Sequence, residues 1–239
     1  MQQWVYQQRQ AVEAELPTIA ERRYLSPALY AQYAAAVPAL QRHLHGVVID
    51  LGCGSAPFWP LVAAQVTRYD GFDRWPRSDK AVLAGDLQNL GMIRSDSYDA
   101  ALCMEVLEHI PAPWLAVAEI YRILKPGGTL VLSVPHLSRL HEVPHDYYRY
   151  TRYGLRHLLE SSGFALVELT EKGGLFCFLG HQLSTVLLSV AWSLPRLRWL
   201  ILALNKWLVT LPCYALDQRL RTEQLFPLGY LVVARKPAT

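Results

Sequence analysis

Residues 47–58 read V-V-I-D-L-G-C-G-S-A-P-F, and this stretch decides the fold. Val47, Val48, Ile49 and Leu51 are apolar and mostly β-branched, which suits a strand buried on both faces of a sheet. Gly52, Cys53 and Gly54 then form a tight turn. Pro57 stands where a helix can begin, because its missing N–H is not needed there. A strand that runs through a glycine turn into a helix opens a ligand crevice at the carboxyl edge of an α/β sheet. Glycine has no Cβ, so a ligand can lie against bare backbone, and Asp50 places a carboxylate just before the turn.

Working outward, 57–65 reads as a short helix, and 68–72, 81–84 and 98–104 read as strands. Asp73 lies 23 residues past Asp50, at the tip of the second strand. A carboxylate there can accept both hydroxyls of a ribose. The following W-P-R-S-D-K leaves no room for a full crossover helix. Asp86, after Gly85, reads either as a turn former or as an acceptor for the amino group of a purine. Residues 112–124 carry a helical apolar stripe through Trp114, Leu115, Val117, Ile120 and Leu124, and K-P-G-G at 125–128 turns that helix into a strand over 129–134. Thr151 caps a helix that Ser161-Ser162-Gly163 ends. Residues 164–170 and 228–234 make the last two strands, the seventh antiparallel beside the sixth.

This order predicts an α/β fold, a Rossmann-like, seven-stranded, mostly parallel sheet with the last strand antiparallel, helices on both faces and a helical insertion before the last strand. Three parts are expected: an N-terminal helical cap over 1–45, the sheet domain over 46–172 and 226–239, and an apolar helical insertion over 173–225. The cap is broken at Pro17 and Pro27. Its Tyr24, Tyr30 and Tyr33 either help close a substrate pocket or simply belong to helices covering the sheet.

Composition narrows the classes. A net charge of +3 on 239 residues, with no basic tract interleaved with aromatics, argues against nucleic acid as a partner. Cys53, Cys103, Cys177 and Cys213 are far apart and form no CxxC pair, so reduced thiols are expected and no metal site. The first residues, M-Q-Q-W-V-Y-Q-Q-R-Q, lack the apolar run of a signal peptide, which makes the cytoplasm the expected location.

D-L-G-C-G at 50–54, Asp73, G-D at 85–86, and S-Y-D-A-A-L-C-M-E-V-L-E-H-I followed by L-K-P-G-G stand in one order and spacing. Together they resemble the class I S-adenosylmethionine-dependent methyltransferases, in particular those acting on small molecules. The resemblance implies S-adenosylmethionine as cofactor, with its methionine part along the backbone of Asp50, Gly52, Cys53 and Gly54. It also implies ribose at Asp73 and adenine near Asp86, with the motif neighbours Arg74, Leu87, Met104 and Glu105 completing the set. A nicotinamide dehydrogenase would need G-x-G-x-x-G, and here Pro57 fills the third place without an N–H. Amino-methylating nucleic-acid enzymes of the fold carry N/D-P-P-Y where this chain has M-E-V-L.

The loop P-H-L-S-R-L-H-E-V-P-H-D-Y-Y-R-Y-T, 135–151, leaves the carboxyl end of the fifth strand, the same edge as the glycine turn. A hydroxyl acceptor needs a general base, worth about 10²–10⁴-fold. His145 with Asp146 is the preferred base pair, because a carboxylate can orient an imidazole. His109 is a second candidate base. His136, His141, Tyr147, Tyr148 and Arg149 are candidate substrate contacts.

The insertion speaks to the acceptor. Residues 173–194 carry no formal charge, and His181, Thr185, Ser189 and Ser193 fall four apart as one weakly polar stripe. Beyond it, Arg196, Arg198 and Lys206 stand with Trp199 and Trp207 among leucines, and no Asp or Glu occurs over 173–216. That composition suits an anionic bilayer surface. Both flanking strands belong to one sheet, so a single membrane crossing is excluded. The expectation is methyl transfer to a small, lipophilic or lipid-linked acceptor, with 174–215 touching the cytoplasmic face of a membrane. The alternatives are a soluble small-molecule methyltransferase whose insertion is a homodimer interface or lid, and a non-catalytic S-adenosylmethionine-binding partner protein.

Overall fold

The structure is a computed structural model that describes residues 11, 15, 16, 18–192, 194 and 196–238. The expected break at Pro17 and the last stripe residue, Ser193, lie outside the described residues. Contacts divide the chain into two compact units. One holds the residues up to Ala35 with Glu171–Leu228, and the other holds Ala36–Thr170 with the stretch from Gly229.

The second unit is built on seven strands: β1 (Gly46–Leu51), β2 (Val66–Asp73), β3 (Ala81–Ala84), β4 (Tyr98–Met104), β5 (Leu124–Pro135), β6 (Ala165–Lys172) and β7 (Gly229–Arg235). Their order is β3-β2-β1-β4-β5-β7-β6. β1 runs parallel to β2 and β4, β2 to β3, and β4 to β5, while β7 is antiparallel to β5. This is the expected Rossmann-like sheet, and it places the seventh strand between the fifth and the sixth. Val48, Ile49 and Leu51 of β1, Leu130 and Leu132 of β5 and Val232 of β7 are wholly buried. Central strands covered on both faces read as continuous apolar runs, which is why β1 and β5 are so plain in the sequence.

Helix α1 (Pro27–His43) precedes β1, α2 (Pro113–Ile123) joins β4 to β5, and α3 (Arg152–Ser161) joins β5 to β6. Proline opens α2, and Ala116, Val117, Ile120 and Ile123 form its buried stripe. Trp114 and Leu115, assigned to that stripe from sequence, are instead exposed. At 3.6 residues per turn, Trp114 stands about 200° around the helix from Ala116. β5 starts at Leu124, before the K-P-G-G turn, because Leu124 already pairs with Tyr98 and the register shifts only afterwards. Thr151 caps α3 by accepting the Gly154 N–H at 3.1 Å, and Gly163, at φ +93°, ends it. The connection from β2 to β3 holds no helix. The helix expected over 57–65 shrinks to one turn, Trp59–Val62.

In the first unit, α4 (Leu175–Trp192) is followed by α5 (Arg198–Asn205), a π turn (Lys206–Thr210) and α6 (Leu211–Leu220). The start of α4 is held from another helix. Asp217, fully buried on α6, accepts the N–H groups of Gly174, Phe176 and Cys177 at 2.8, 2.9 and 2.8 Å, and the Thr222 hydroxyl. One carboxylate thus satisfies donors that a helix start leaves without partners. Ser184 on α4 donates to Asn205 Oδ1 at 2.7 Å, and Asn205 Nδ2 donates to the carbonyls of Tyr24 and Leu25, both at 3.1 Å. The polar stripe of α4 turns inward on its own backbone: Thr185 Oγ1 donates to the His181 carbonyl and Ser189 Oγ to that of Thr185, each at 2.8 Å. Tyr24 and Tyr30 stack at 5.6 Å, Tyr30 meets Tyr214 edge-on, and Arg23 lies over Tyr24 and Tyr33. Tyr30 thus packs with the insertion through Tyr214, and Tyr24 through Lys206.

Candidate active site

The glycine turn sits where the sequence places it, at the carboxyl end of β1. Gly52 and Gly54 have φ of +77° and +54°. A Cβ on Gly52 would come within 2.4 Å of Val106 Cγ2, so the turn tolerates no side chain. The Gly52 and Cys53 N–H groups donate to the Phe72 carbonyl at 2.8 and 3.1 Å, which ties the turn to β2. Asp73, buried at the end of β2, accepts the Gly54 N–H on one oxygen and the Trp75 N–H on the other, both at 2.8 Å. Its carboxylate therefore shapes the turn from beside it.

Asp50 is 2% exposed and accepts the Tyr69 hydroxyl. Burial pushes its carboxyl up to about 7, and the neighbouring Asp73 charge adds to this, against the pull of the Tyr69 hydrogen bond. Two carboxylates, one wholly buried, beside a bare backbone turn favour a ligand that brings positive charge. Burial and the same two acids push the Cys53 thiol up to about 12, so it is no nucleophile. Asp86 is exposed and holds the Gln88 backbone and side-chain N–H groups at 2.9 and 3.1 Å, which keeps its carboxyl below the usual range. Leu87 and Met104 are buried, and Arg74 is exposed over the Trp75 ring. Glu105, at φ +56°, accepts the Ser133 hydroxyl and donates its N–H to the Ser133 carbonyl at 2.9 Å.

After β4 comes a single 3₁₀ turn, Leu107–His109, and the 135–151 loop is stapled onto it. The Tyr147 and Tyr148 N–H groups donate to the Glu108 carbonyl at 2.8 and 3.3 Å, the Tyr150 hydroxyl donates to the Leu107 carbonyl at 3.0 Å, and His109 Nδ1 lies 2.5 Å from the His145 carbonyl. The loop therefore lies at the cofactor edge, as its sequence position implies.

The internal pairing of the loop differs from the sequence expectation. Asp146 does not orient His145. Its carboxylate takes both Arg149 NH groups at 2.6 and 2.8 Å and the His141 N–H at 2.9 Å, and the Arg149 pairing holds it down at about 2. The exposed His145 ring meets the Tyr147 hydroxyl, at 3.1 Å, and the Tyr147 and Trp75 rings. A bidentate arginine fork outcompetes an adjacent imidazole for one carboxylate. His136 packs on Tyr230, and its buried Nδ1 has no hydrogen-bond partner among the described residues.

Sequence reasoning passes over Glu108. It is fully buried, and neither carboxylate oxygen has a hydrogen-bond partner among the described residues. Its Oε1 stands 3.7 Å from His109 Nε2 and 3.7 Å from His141 Nε2, beyond hydrogen-bond length. Burial raises the Glu108 carboxyl. His141 titrates above the ordinary imidazole range because Glu108 and Asp146 together outweigh its own burial. The signal, E-H at 108–109 and a histidine in the loop, is present, but only the folded loop brings them together. A cleft of about 520 Å³ lies elsewhere, at the amino ends of β2 and β4 by Arg68, Asp70 and Tyr98.

A family model described as a methyltransferase domain matches residues 21–175. A curated methyltransferase of Mycobacterium leprae, itself uncharacterized, is 32% identical over 152 residues, covering 54% of this chain and 56% of that protein. The chain thus spans about half the length of the curated relatives it matches. The ubiquinone biosynthesis O-methyltransferase of Burkholderia thailandensis is 27% identical over 161 residues, covering 53% of this chain and 68% of that one. Among solved structures, the 1,6-didemethyltoxoflavin-N1-methyltransferase of Burkholderia thailandensis, with S-adenosylhomocysteine bound, superposes with a TM-score of 0.54 at 17% identity, covering 90% of this chain and 78% of that one.

Proposed function

The chain belongs to the methyltransferase-domain family of class I S-adenosylmethionine-dependent enzymes, and from that premise we propose that it methylates a small, lipophilic or lipid-linked acceptor at a membrane surface. The cofactor, when bound, supplies an electrophilic methyl on a sulfonium, so the protein's task is largely alignment, worth about 7–11 kcal/mol of barrier. The glycine turn offers bare backbone to it, Asp73 remains an acceptor at the β2 tip, and Asp50 favours its positive charge. His145, exposed on the stapled loop, is an imidazole at this sheet edge that can take a proton from a hydroxyl acceptor. Tyr147 supports the His145 ring.

The observation that carries the acceptor class is the exposed apolar face of the first unit. The continuous run Arg198–Leu220 contains an 18-residue window with a mean hydropathy of 1.4, of which only 17% is buried. Trp199, Leu200, Leu204, Trp207 and Leu208 are all about half exposed or more, as are Leu179, Leu183 and Val186 on α4. Each such side chain gains about 1.5–3 kcal/mol on full burial, so a handful suffices to hold a protein at a bilayer. Lys206 lies over the rings of Tyr24 and Trp207, and Arg196, Arg219 and Arg221 are exposed with it, a charge pattern suited to anionic headgroups. The ubiquinone-pathway name of one relative supports an oxygen acceptor on a lipophilic ring. Vesicle flotation tests this. The protein should float with anionic vesicles, and a Trp199→Ser, Trp207→Ser, Leu208→Ser variant should stay at the bottom with its cofactor affinity intact. Equal behaviour of both proteins overturns the membrane reading, and a detergent-sensitive dimer in its place would assign the face to self-association.

A further inference from the structure

We propose that Glu108, His109 and His141 form a binding site for one divalent transition-metal ion of the zinc or manganese class, beside the cofactor crevice. Each residue offers one ligand atom, and the three atoms lie within 4.8 Å of one another. Glu108 Oε1 is 3.7 Å from each imidazole Nε2. Ligands about 2.1 Å from one ion stand about 3.4 Å apart in a tetrahedron, so the two 3.7 Å pairs close by a few tenths of an ångström and the widest pair by up to about 1.4 Å on binding a metal.

Two further observations make this a built site. First, Glu108 is fully buried and, among the described residues, neither oxygen has a hydrogen-bond partner, and a carboxylate is not left so without cost unless something else satisfies it. Second, the other nitrogen of each ring is already engaged. His109 Nδ1 faces the His145 carbonyl at 2.5 Å, and His141 Nδ1 faces the Arg139 carbonyl at 3.3 Å and Asp146 Oδ2 at 3.6 Å. Carbonyl oxygens only accept, so in neutral His109 Nδ1 carries the proton and the Nε2 lone pair faces Glu108; His141 Nδ1 meets the Arg139 carbonyl and Asp146 on one side and the donor Arg149 Nη2, at 3.5 Å, on the other. Backing an imidazole through its far nitrogen is how proteins orient metal-ligating histidines. Asp146 is in turn fixed by Arg149, which gives that ion pair a purpose the His145 pairing does not.

Two imidazoles and one carboxylate select a borderline transition metal over Mg²⁺ or Ca²⁺, which prefer oxygen shells. Three protein ligands leave positions open for water or an oxygen of the acceptor. The first statement stands on the ligand geometry alone; the acceptor oxygen rests on the methyl-transfer reading above.

The test is calorimetric titration of the metal-free full chain with Zn²⁺, with Mg²⁺ as contrast. One equivalent of Zn²⁺ should bind with micromolar or tighter affinity, and Mg²⁺ at least 100-fold more weakly. Glu108→Gln and His141→Ala should each weaken Zn²⁺ at least tenfold, while His45→Ala leaves it unchanged. Circular dichroism and S-adenosylmethionine binding report that the variants fold. With Co²⁺, the visible bands of an imidazole-bound ion should appear in the wild type and vanish in Glu108→Gln. No stoichiometric binding, or binding indifferent to both substitutions in folded variants, overturns the proposal. Because the readout is metal affinity, its failure is distinct from a failure to methylate.

Discussion

Asp50 offers the sharpest quantitative consequence. Its carboxyl is pushed up from 3.8 to about 7, chiefly by burial, a shift of roughly three pH units at about 1.4 kcal/mol each. The folded state holds the proton more tightly than the unfolded chain, so between about pH 4 and pH 7 unfolding releases it. The ligand-free protein is accordingly most favoured at the acid end of this window and loses about 4 kcal/mol by its upper end, as the buried group is forced to ionise. Asp50→Asn keeps the shape and an acceptor for the Tyr69 hydroxyl but cannot ionise. Unfolding free energies from hydrogen exchange of the β1 amides, taken at pH 4.5 and pH 8, read the difference. The variant should gain about 3 kcal/mol relative to wild type between the two. Saturating S-adenosylmethionine, a net cation, should shrink that gap by favouring the ionised carboxylate. A wild type and variant with parallel pH profiles would refute the placement of Asp50 as a buried acid without a cationic partner.

Other consequences follow from single side chains. Asp73→Ala removes the acceptor for the Gly54 and Trp75 N–H groups and should weaken S-adenosylmethionine about 10–100-fold by calorimetry, about 1–3 kcal/mol. Gly52→Ala sets a Cβ 2.4 Å from Val106 at φ +77°. It should cost at least tenfold in cofactor affinity, measured the same way, with strain of about 1–3 kcal/mol. Asp217→Ala leaves the Gly174, Phe176 and Cys177 N–H groups and the Thr222 hydroxyl without their acceptor. A loss of about 3 kcal/mol should appear as faster proteolysis within 171–228, while the sheet keeps its protection.

The sheet is legible in the sequence because its central strands are buried on both faces and bounded by Gly, Pro and Asp. Residues 81–84 and 98–104 coincide with β3 and β4. The cofactor motif is legible for the same local reason, since a turn, its glycines and the acid of the next strand lie within 23 residues. What escapes is long-range pairing. That Asp146 would choose Arg149 over His145 is a contest of geometry that adjacency does not report. That Glu108 and His109 meet His141 depends on the fold of a loop with no periodicity to read. Nor does the sequence reveal that Asp217, just past the acid-free stretch, caps a helix some forty positions earlier, as its bond to Gly174 shows. The partner of the insertion is also a matter of packing, with Asn205 reaching the backbone of Tyr24 and Leu25.

The most direct test supplies the full chain with S-adenosylmethionine carrying an isotopically labelled methyl group, adds lipid and aqueous extracts separately, and reads the products by mass spectrometry. A methyltransferase of lipophilic acceptors yields a labelled, methylated species in the lipid extract together with stoichiometric S-adenosylhomocysteine, and at limiting cofactor Asp73→Ala lowers both together. Label appearing only in the aqueous extract would contradict the acceptor class. Cofactor bound without label transferred in either extract would contradict methyl transfer itself.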